Sequence, residues 1–162
     1  MSPTPLPRVR GVPVAAALRS LAAVVLLAGC SSLVEVRPTP TPLDFGGIQV
    51  TLANAGISLT NTISGDAGCT DPNLIPTAIG FDAMGLDLTT PVRLRIYIFT
   101  DRAAWQRRQA DVDACIASWA TDPGTVETIG ESPYVLAGQG PWPPAFKTTV
   151  AAALKEAAGN GD

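Results

Sequence analysis

The stretch Val92-Arg-Leu-Arg-Ile-Tyr-Ile-Phe99 decides the fold, because apolar and polar side chains alternate along it. Successive side chains of a β-strand point to opposite faces, so the apolar residues at positions 92, 94, 96 and 98 share one face. Arg93, Arg95 and Tyr97 then share the other face. One buried face and one polar face are typical of a strand in an antiparallel sheet.

Patterns on either side of this stretch predict four more strands and three helices. Alternation and turn residues predict strands at 57–63, 78–83, 126–129 and 134–137. Apolar residues at helical spacing predict helices at 45–55, between Asp101 and Asp122, and from Pro143 or Pro144 to 158. A strand is the alternative for the first helix. The predicted inward residues of the helices are Phe45, Ile48, Leu52 and Ala55, then Trp105, Val112, Ile116 and Trp119, then Phe146, Val150, Leu154 and Ala157.

The predicted order α-β-β-β-α-β-β-α indicates an α+β fold. A helix buries one stripe and a half-solvated sheet buries one face, so we expect a two-layer sandwich. In it, the helices lie on one face of a mostly antiparallel sheet. The prediction is a single small domain over residues 43–162, which is long enough to bury one core.

Composition argues against several classes of function. Hydrophobic residues make up 46% of the 162 residues, which is typical of a globular chain. The sequence has no His, and this removes the usual base of catalytic Ser-His and Cys-His pairs and the commonest zinc ligand. The net charge of −3 and the lack of a Lys/Arg cluster argue against nucleic-acid binding. We therefore expect no metal centre, no cofactor and no recognisable catalytic set.

The first 30 residues carry an export signal. Arg8, Arg10 and Arg19 precede or flank a short apolar run at 21–28, and no acidic residue lies before it. A basic segment, an apolar run and small residues at its end describe a signal peptide, and the run is shorter than the roughly 20 residues of a membrane-spanning helix. The end of the run, Leu27-Ala28-Gly29-Cys30, resembles the lipobox of bacterial lipoproteins. The resemblance implies cleavage before Cys30 and a lipid on its thiol; a signal peptide without lipidation is the alternative.

This resemblance divides the chain into three parts. Residues 1–29 would be the lipoprotein signal peptide, residues 30–42 a Pro/Thr-rich tether, and residues 43–162 the globular domain. Alternating prolines favour extended polyproline II in the tether. The implied location is the extracytoplasmic face of the cell membrane, with the bilayer bound through the lipid on Cys30.

Cys69 and Cys115 remain once Cys30 is lipidated. In an oxidising compartment two remaining cysteines usually pair, so we expect a disulfide between them. Two separate free thiols are the alternative. A catalytic thiolate is disfavoured, because the chain has no His to activate it.

Four carboxylates form the densest acidic group: Asp66, Asp71, Asp82 and Asp87. Two of them could form the acid/base pair of a glycoside hydrolase or supply oxygen ligands to calcium. The ordinary alternative is loop capping and solvation. Asp66 and Asp71 are also possible ligand contacts.

Trp142 lies among prolines in the rigid loop at 138–144. A rigid, exposed aromatic ring is a good recognition anchor, so Trp142 is a third possible ligand contact. The alternative is that its ring caps the edge of the core.

Together these features favour a membrane-anchored binding or interaction module outside the cytoplasm. Its partner would be an unknown envelope protein, a glycan or a small molecule. The main alternative is a carboxylate-based hydrolase acting on envelope glycans, for which two Asp must face each other across a cleft. A structural or assembly role is a further alternative and would need a large exposed apolar patch.

Overall fold

Antiparallel pairing of five strands builds the centre of the domain. The computed structural model describes residues 44–159. The strands are β1 (Ser58–Ser64), β2 (Ala78–Met84), β3 (Val92–Ile98), β4 (Val126–Glu131) and β5 (Tyr134–Gln139). Their order in the sheet is β1-β2-β3-β5-β4, so the alternating stretch that begins at Val92 forms the middle strand.

Four α-helices lie in the described part of the chain, and local sequence explains where several of them begin or end. They are α1 (Phe45–Asn54), α2 (Arg102–Arg107), α3 (Gln109–Trp119) and α4 (Pro144–Ala158). Asp101 caps α2, because its carboxylate accepts a hydrogen bond from the backbone N–H of Ala104 at 2.7 Å. Pro144 opens α4, where the missing N–H would have no helical partner. Gly56 follows α1 with a φ of 87°, as expected of a glycine that ends a helix.

One face of the sheet, which we call the helix face, is apolar along its three central strands. The side chains of β2, β3 and β5 that form it are Ile79, Phe81, Leu94, Ile96, Ile98 and Leu136. Helices α1 and α4 cover them with Phe45, Ile48, Leu52, Phe146, Val150 and Leu154. Burying one such side chain contributes about 1.5–3 kcal/mol, so this layer dominates the stability of the domain.

The opposite face, which we call the loop face, is only half apolar. Over the apolar half, α3 packs Val112, Cys115 and Ile116 against side chains that include Tyr97 and Val135. The first part of the connection between β1 and β2, residues 65–74, crosses the other half, where β3 contributes two arginines. On this half a loop therefore covers the sheet, as helices cover it on the other face.

The predicted single α+β domain with an antiparallel sheet is confirmed. The helices, however, lie on both faces rather than on one. Helices α1 and α4 pack on the helix face, whereas α3 packs on the loop face. The reason is that the loop face also carries large side chains with apolar surface. Tyr97 of β3 and Val135 of β5 point to this face, and both are buried beneath α3.

Two smaller predictions also differ from the structure. The second predicted helix divides at Arg108, where the side-chain amide of Gln109 donates to the carbonyl of Trp105 at 3.0 Å. In a continuous helix a backbone N–H would occupy that carbonyl. In α4, Ala153 is buried beside Leu154, and Ala157 is exposed.

Candidate functional site

Residues 65–74 hold a charged network against the loop face. The Asp66 carboxylate lies between two arginines of β3, with 2.5 Å to Nη2 of Arg93 and 3.1 Å to Nε of Arg95. Arg93 also binds Asp82 at 3.2 Å and donates to the backbone carbonyl of Asn61 at 3.0 Å. The guanidinium of Arg93 therefore makes three hydrogen bonds inside the protein, two of them to carboxylates.

The environment of Asp66 keeps it ionised. Partial burial alone would raise the pKa of Asp66, but hydrogen bonds and positive charge from Arg93 and Arg95 outweigh it and hold the pKa below its usual value. A general acid of glycoside hydrolysis needs the opposite shift. Asp66 is thus suited to holding a structure together rather than to donating a proton.

Gly80 allows Asp66 to approach the sheet. A β-carbon at position 80 would lie 2.2 Å from Oδ2 of Asp66 and 2.7 Å from Nη2 of Arg93, which is closer than real contacts allow. The carboxylate thus occupies the space above the β2 backbone that a side chain would fill. Gly80 is buried in consequence.

The predicted disulfide between Cys69 and Cys115 is confirmed, and it joins this loop to α3. Next to it, the hydroxyl of Tyr97 donates to the carbonyl of Ala67 at 2.8 Å. Burial raises the pKa of Tyr97, so this hydroxyl stays protonated at neutral pH. The guanidinium of Arg95 lies 4.8 Å from the ring centre of Trp119, as in a cation–π contact.

Asp71 stabilises the end of the same loop. Its carboxylate accepts hydrogen bonds from the backbone N–H groups of Asn73 and Leu74 and binds Arg108 at 3.3 Å. The bond from Asn73 is the largest cause of its lowered pKa. Asp71 therefore has the ordinary capping role that was one of the two interpretations.

The four carboxylates singled out in the sequence do not form one site. Asp66 and Asp82 meet only through Arg93, Asp71 caps a turn, and Asp87 lies in a separate loop. No group of three or more His, Cys, Asp or Glu side chains within residues 44–159 is placed to hold a metal ion.

Trp142 is an internal support of its loop. Its side chain is 5% exposed, its ring meets Phe146 edge-on at 5.7 Å, and its N–H donates to the carbonyl of Gln139 at 3.1 Å. The ring caps the edge of the core. Its neighbours Pro141 and Pro143 face outward and line a groove.

This groove, of about 390 Å³, lies between residues 87–93 and residues 139–143, where β3 begins and β5 ends. The second wall is the rigid loop predicted from the sequence at 138–144, whereas the first wall was not predicted. The sequence feature that could have indicated the first wall is the segment between two predicted strands that contains Gly85 and then Thr89-Thr90-Pro91. Such a segment is typical of a loop with an unusual backbone, and loops of this kind often carry function.

The first wall is held in a strained conformation. Leu86 and Asp87 have φ values of 50° and 68°, in the left-handed region that costs non-glycine residues about 1–3 kcal/mol each. Gly85, with a φ of 132°, passes so close to Gly56 that a β-carbon would lie 2.2 Å from its carbonyl oxygen. Leu86 and Leu88 pack against the core and hold the loop in place. Asp87 and Thr89, which alternate with them, are exposed.

The second wall is held by hydrogen bonds around Gln139. Its side-chain oxygen accepts from the N–H groups of Thr121 and Asp122, and its amide donates to the carbonyl of Asp122 and the hydroxyl of Thr125. The N–H of Gly140 donates to the carbonyl of Thr125 at 2.9 Å. Both walls are therefore fixed before any ligand arrives.

Comparisons of the chain with protein-family models, with curated proteins and with solved structures found no match. Cys30 and the proposed tether lie outside the described residues. Among residues 44–159, every helix is too short or too polar to cross a bilayer.

Proposed function

We propose that the chain is an exported, lipid-anchored protein whose domain acts as a binding module at the outer side of the membrane. The disulfide between Cys69 and Cys115 is the observation that carries the proposal. Disulfides form and persist in oxidising compartments and are rare in the bacterial cytosol. The same location is implied by the lipobox-like sequence that ends at Cys30.

A binding role is favoured over carboxylate-based hydrolysis by the electrostatics of the acidic residues. The pKa values of Asp66 and Asp71 are lowered, and each carboxylate binds an arginine. Neither is prepared to act as a general acid at neutral pH. The groove between residues 87–93 and 139–143, in contrast, has rigid walls and open polar groups, as binding sites do.

The anchor is tested by expressing the full chain in a bacterium and separating membrane from soluble protein with a detergent that forms two phases. We expect the protein to enter the detergent phase with a lipid-modified N-terminus. Cys30→Ser should abolish both, whereas the neighbouring change Ser31→Ala should preserve both. A Cys30→Ser protein that stays membrane-bound and is cut at the same site contradicts the proposal.

The binding role is tested in the same cells with a photo-reactive amino acid in place of Thr89, at the rim of the groove. The matched control carries it in place of Asp113, an exposed residue of α3. We expect a discrete cross-linked product from position 89 that position 113 does not form. Equal labelling from both positions would contradict a binding site in the groove.

A further inference from the structure

Three polar side chains line one wall of the groove without internal partners. The carboxylate of Asp87 and the hydroxyls of Thr89 and Thr90 make no hydrogen bond or ion pair with any described residue. All three residues are exposed, and the strained loop presents them toward the same space. Backbone strain of this kind persists where the surroundings enforce it and concentrates at binding and catalytic sites.

The opposite wall contributes aliphatic surface rather than charge. Pro141 and Pro143 line it, and Leu88 and Val92 add apolar atoms at the base of the first wall. Gln139 also borders the groove, but its amide is engaged with Asp122 and Thr125. A ligand would meet hydrogen-bonding groups on one side and C–H groups on the other.

The charges near the groove argue against a free anion. Arg93 lies at the edge of the groove, but its guanidinium already pairs with Asp66 and Asp82 and donates to the carbonyl of Asn61. Asp87 adds an uncompensated negative charge. A phosphate or a carboxylate would therefore be repelled by Asp87, and the arginine it would meet has its charge already balanced by two carboxylates.

A metal ion or a simple organic cation also fits poorly. Asp87 is the one acidic residue lining the groove, whereas calcium takes about six to eight oxygen ligands. An ion pair with one exposed carboxylate contributes about 0–1 kcal/mol, which is too weak to define a ligand.

We propose that this groove binds an uncharged saccharide, a proposal that rests on the binding role proposed above. A carboxylate accepts hydrogen bonds from neighbouring hydroxyls, and threonine hydroxyls both donate and accept, as sugar hydroxyls require. The proline rings suit the C–H face of a pyranose ring. The volume of about 390 Å³ lies within the usual range for small-molecule sites, and rigid walls lower the ordering cost of binding.

The test uses the full chain, purified in a detergent without a sugar headgroup, and saturation-transfer NMR with titration calorimetry. The probes are N,N′-diacetylchitobiose, maltose and mannobiose, with inorganic phosphate and a proline-rich peptide as competing classes. We expect at least one disaccharide to bind with an affinity that salt does not change. Asp87→Asn should weaken it about tenfold or more, since hydrogen bonds to charged groups contribute that much.

Thr89→Val should weaken the same disaccharide, whereas Asp113→Asn on α3 should leave its affinity unchanged. Unaltered melting temperatures of all three variants would show that the fold is intact. The inference is overturned if no disaccharide binds, if binding survives Asp87→Asn, or if only the peptide or phosphate binds. A groove-specific cross-link in cells together with failure of all three disaccharides would reject the saccharide and retain the binding role.

Discussion

The helix face and the loop face of the sheet are stabilised by different kinds of interaction. On the helix face, α1 and α4 bury a continuous apolar layer in which Phe81 and Phe146 are fully buried. On the loop face, α3 covers only half of the surface, and residues 65–74 cover the rest with a carboxylate, two arginines and a disulfide. Apolar area stabilises the first face, whereas cross-linking and charge pairing stabilise the second.

The comparison of the two faces indicates why a disulfide stabilises the loop face in particular. A loop such as 65–74 buries little apolar surface, with Ala67 and Leu74 as its fully buried residues. Little else offsets the conformational entropy lost when it becomes ordered. A disulfide to α3 lowers that cost by restricting the unfolded chain instead of adding contacts to the folded one.

The largest effect is expected on the helix face, from Phe81→Ala. Phe81 is 0% exposed and its ring lies 5.2 Å from that of Phe45, so its removal leaves a cavity between the sheet and α1. We expect the free energy of unfolding to fall by about 3–5 kcal/mol, measured from urea unfolding. The matched control is Val50→Ala, because Val50 lies on the same helix side of the domain but is 60% exposed. It should change stability by less than about 0.5 kcal/mol.

The next largest effect is expected from removal of the disulfide. It spans 46 residues, for which loop-closure entropy gives about 4 kcal/mol, and measured values are typically about 2–4 kcal/mol. Cys115→Ser should lower the melting temperature and speed amide hydrogen exchange in residues 65–74 more than in the helix-face strands. Reduction of the Cys69→Ser/Cys115→Ser protein is the control and should change nothing further. Two free thiols, found by alkylating the protein after purification without reductant, would contradict the bond.

Much of the helix face could be predicted from the sequence, because its signal is local. Alternation in β3 identified the buried positions, and apolar spacing identified Phe45, Ile48 and Leu52 of α1. Each pattern lies within one element and needs no knowledge of the fold. The disulfide was also predictable, since only two cysteines remain after Cys30.

The loop face was harder to predict because its order depends on distant residues. Arg93 and Arg95 were assigned to a polar face, but nothing in their spacing indicates that Asp66 would cover them. That contact requires the 65–74 loop to fold back over β2, which Gly80 permits. The groove depends in the same way on two segments about 50 residues apart in the chain, at 87–93 and 139–143.

A smaller effect is expected from Gly80→Ala, which tests whether the charged network depends on close approach to β2. The new β-carbon would displace Asp66 from Arg93, and we expect a loss of about 1–2 kcal/mol. In an Asp66→Ala background the same change should cost much less, because the carboxylate is already gone. Gly46→Ala in α1 is the control. Nothing lies within 4 Å of its added carbon, and it should stabilise the domain by up to about 1 kcal/mol.

The smallest effect is expected from pH, and it should come from the loop face rather than from the helix face. The buried layer beneath α1 and α4 consists of apolar side chains and a single tyrosine, whereas the pKa values of Asp66 and Asp71 are lowered from 3.8. A carboxyl with a lowered folded-state pKa contributes stability that is fully present above the unfolded value, here 3.8. That contribution is lost as the pH falls from 3.8 through the folded-state pKa. For Asp66 we expect about 1 kcal/mol or less, because solvent screens a partly exposed pair.

Urea midpoints measured across this range should fall less steeply for Asp66→Asn than for the unaltered protein. Asp113→Asn, in an exposed position on α3, should retain the full slope. Equal slopes in all three proteins would mean that the ion pairs of Asp66 with Arg93 and Arg95 add no stability to the folded domain.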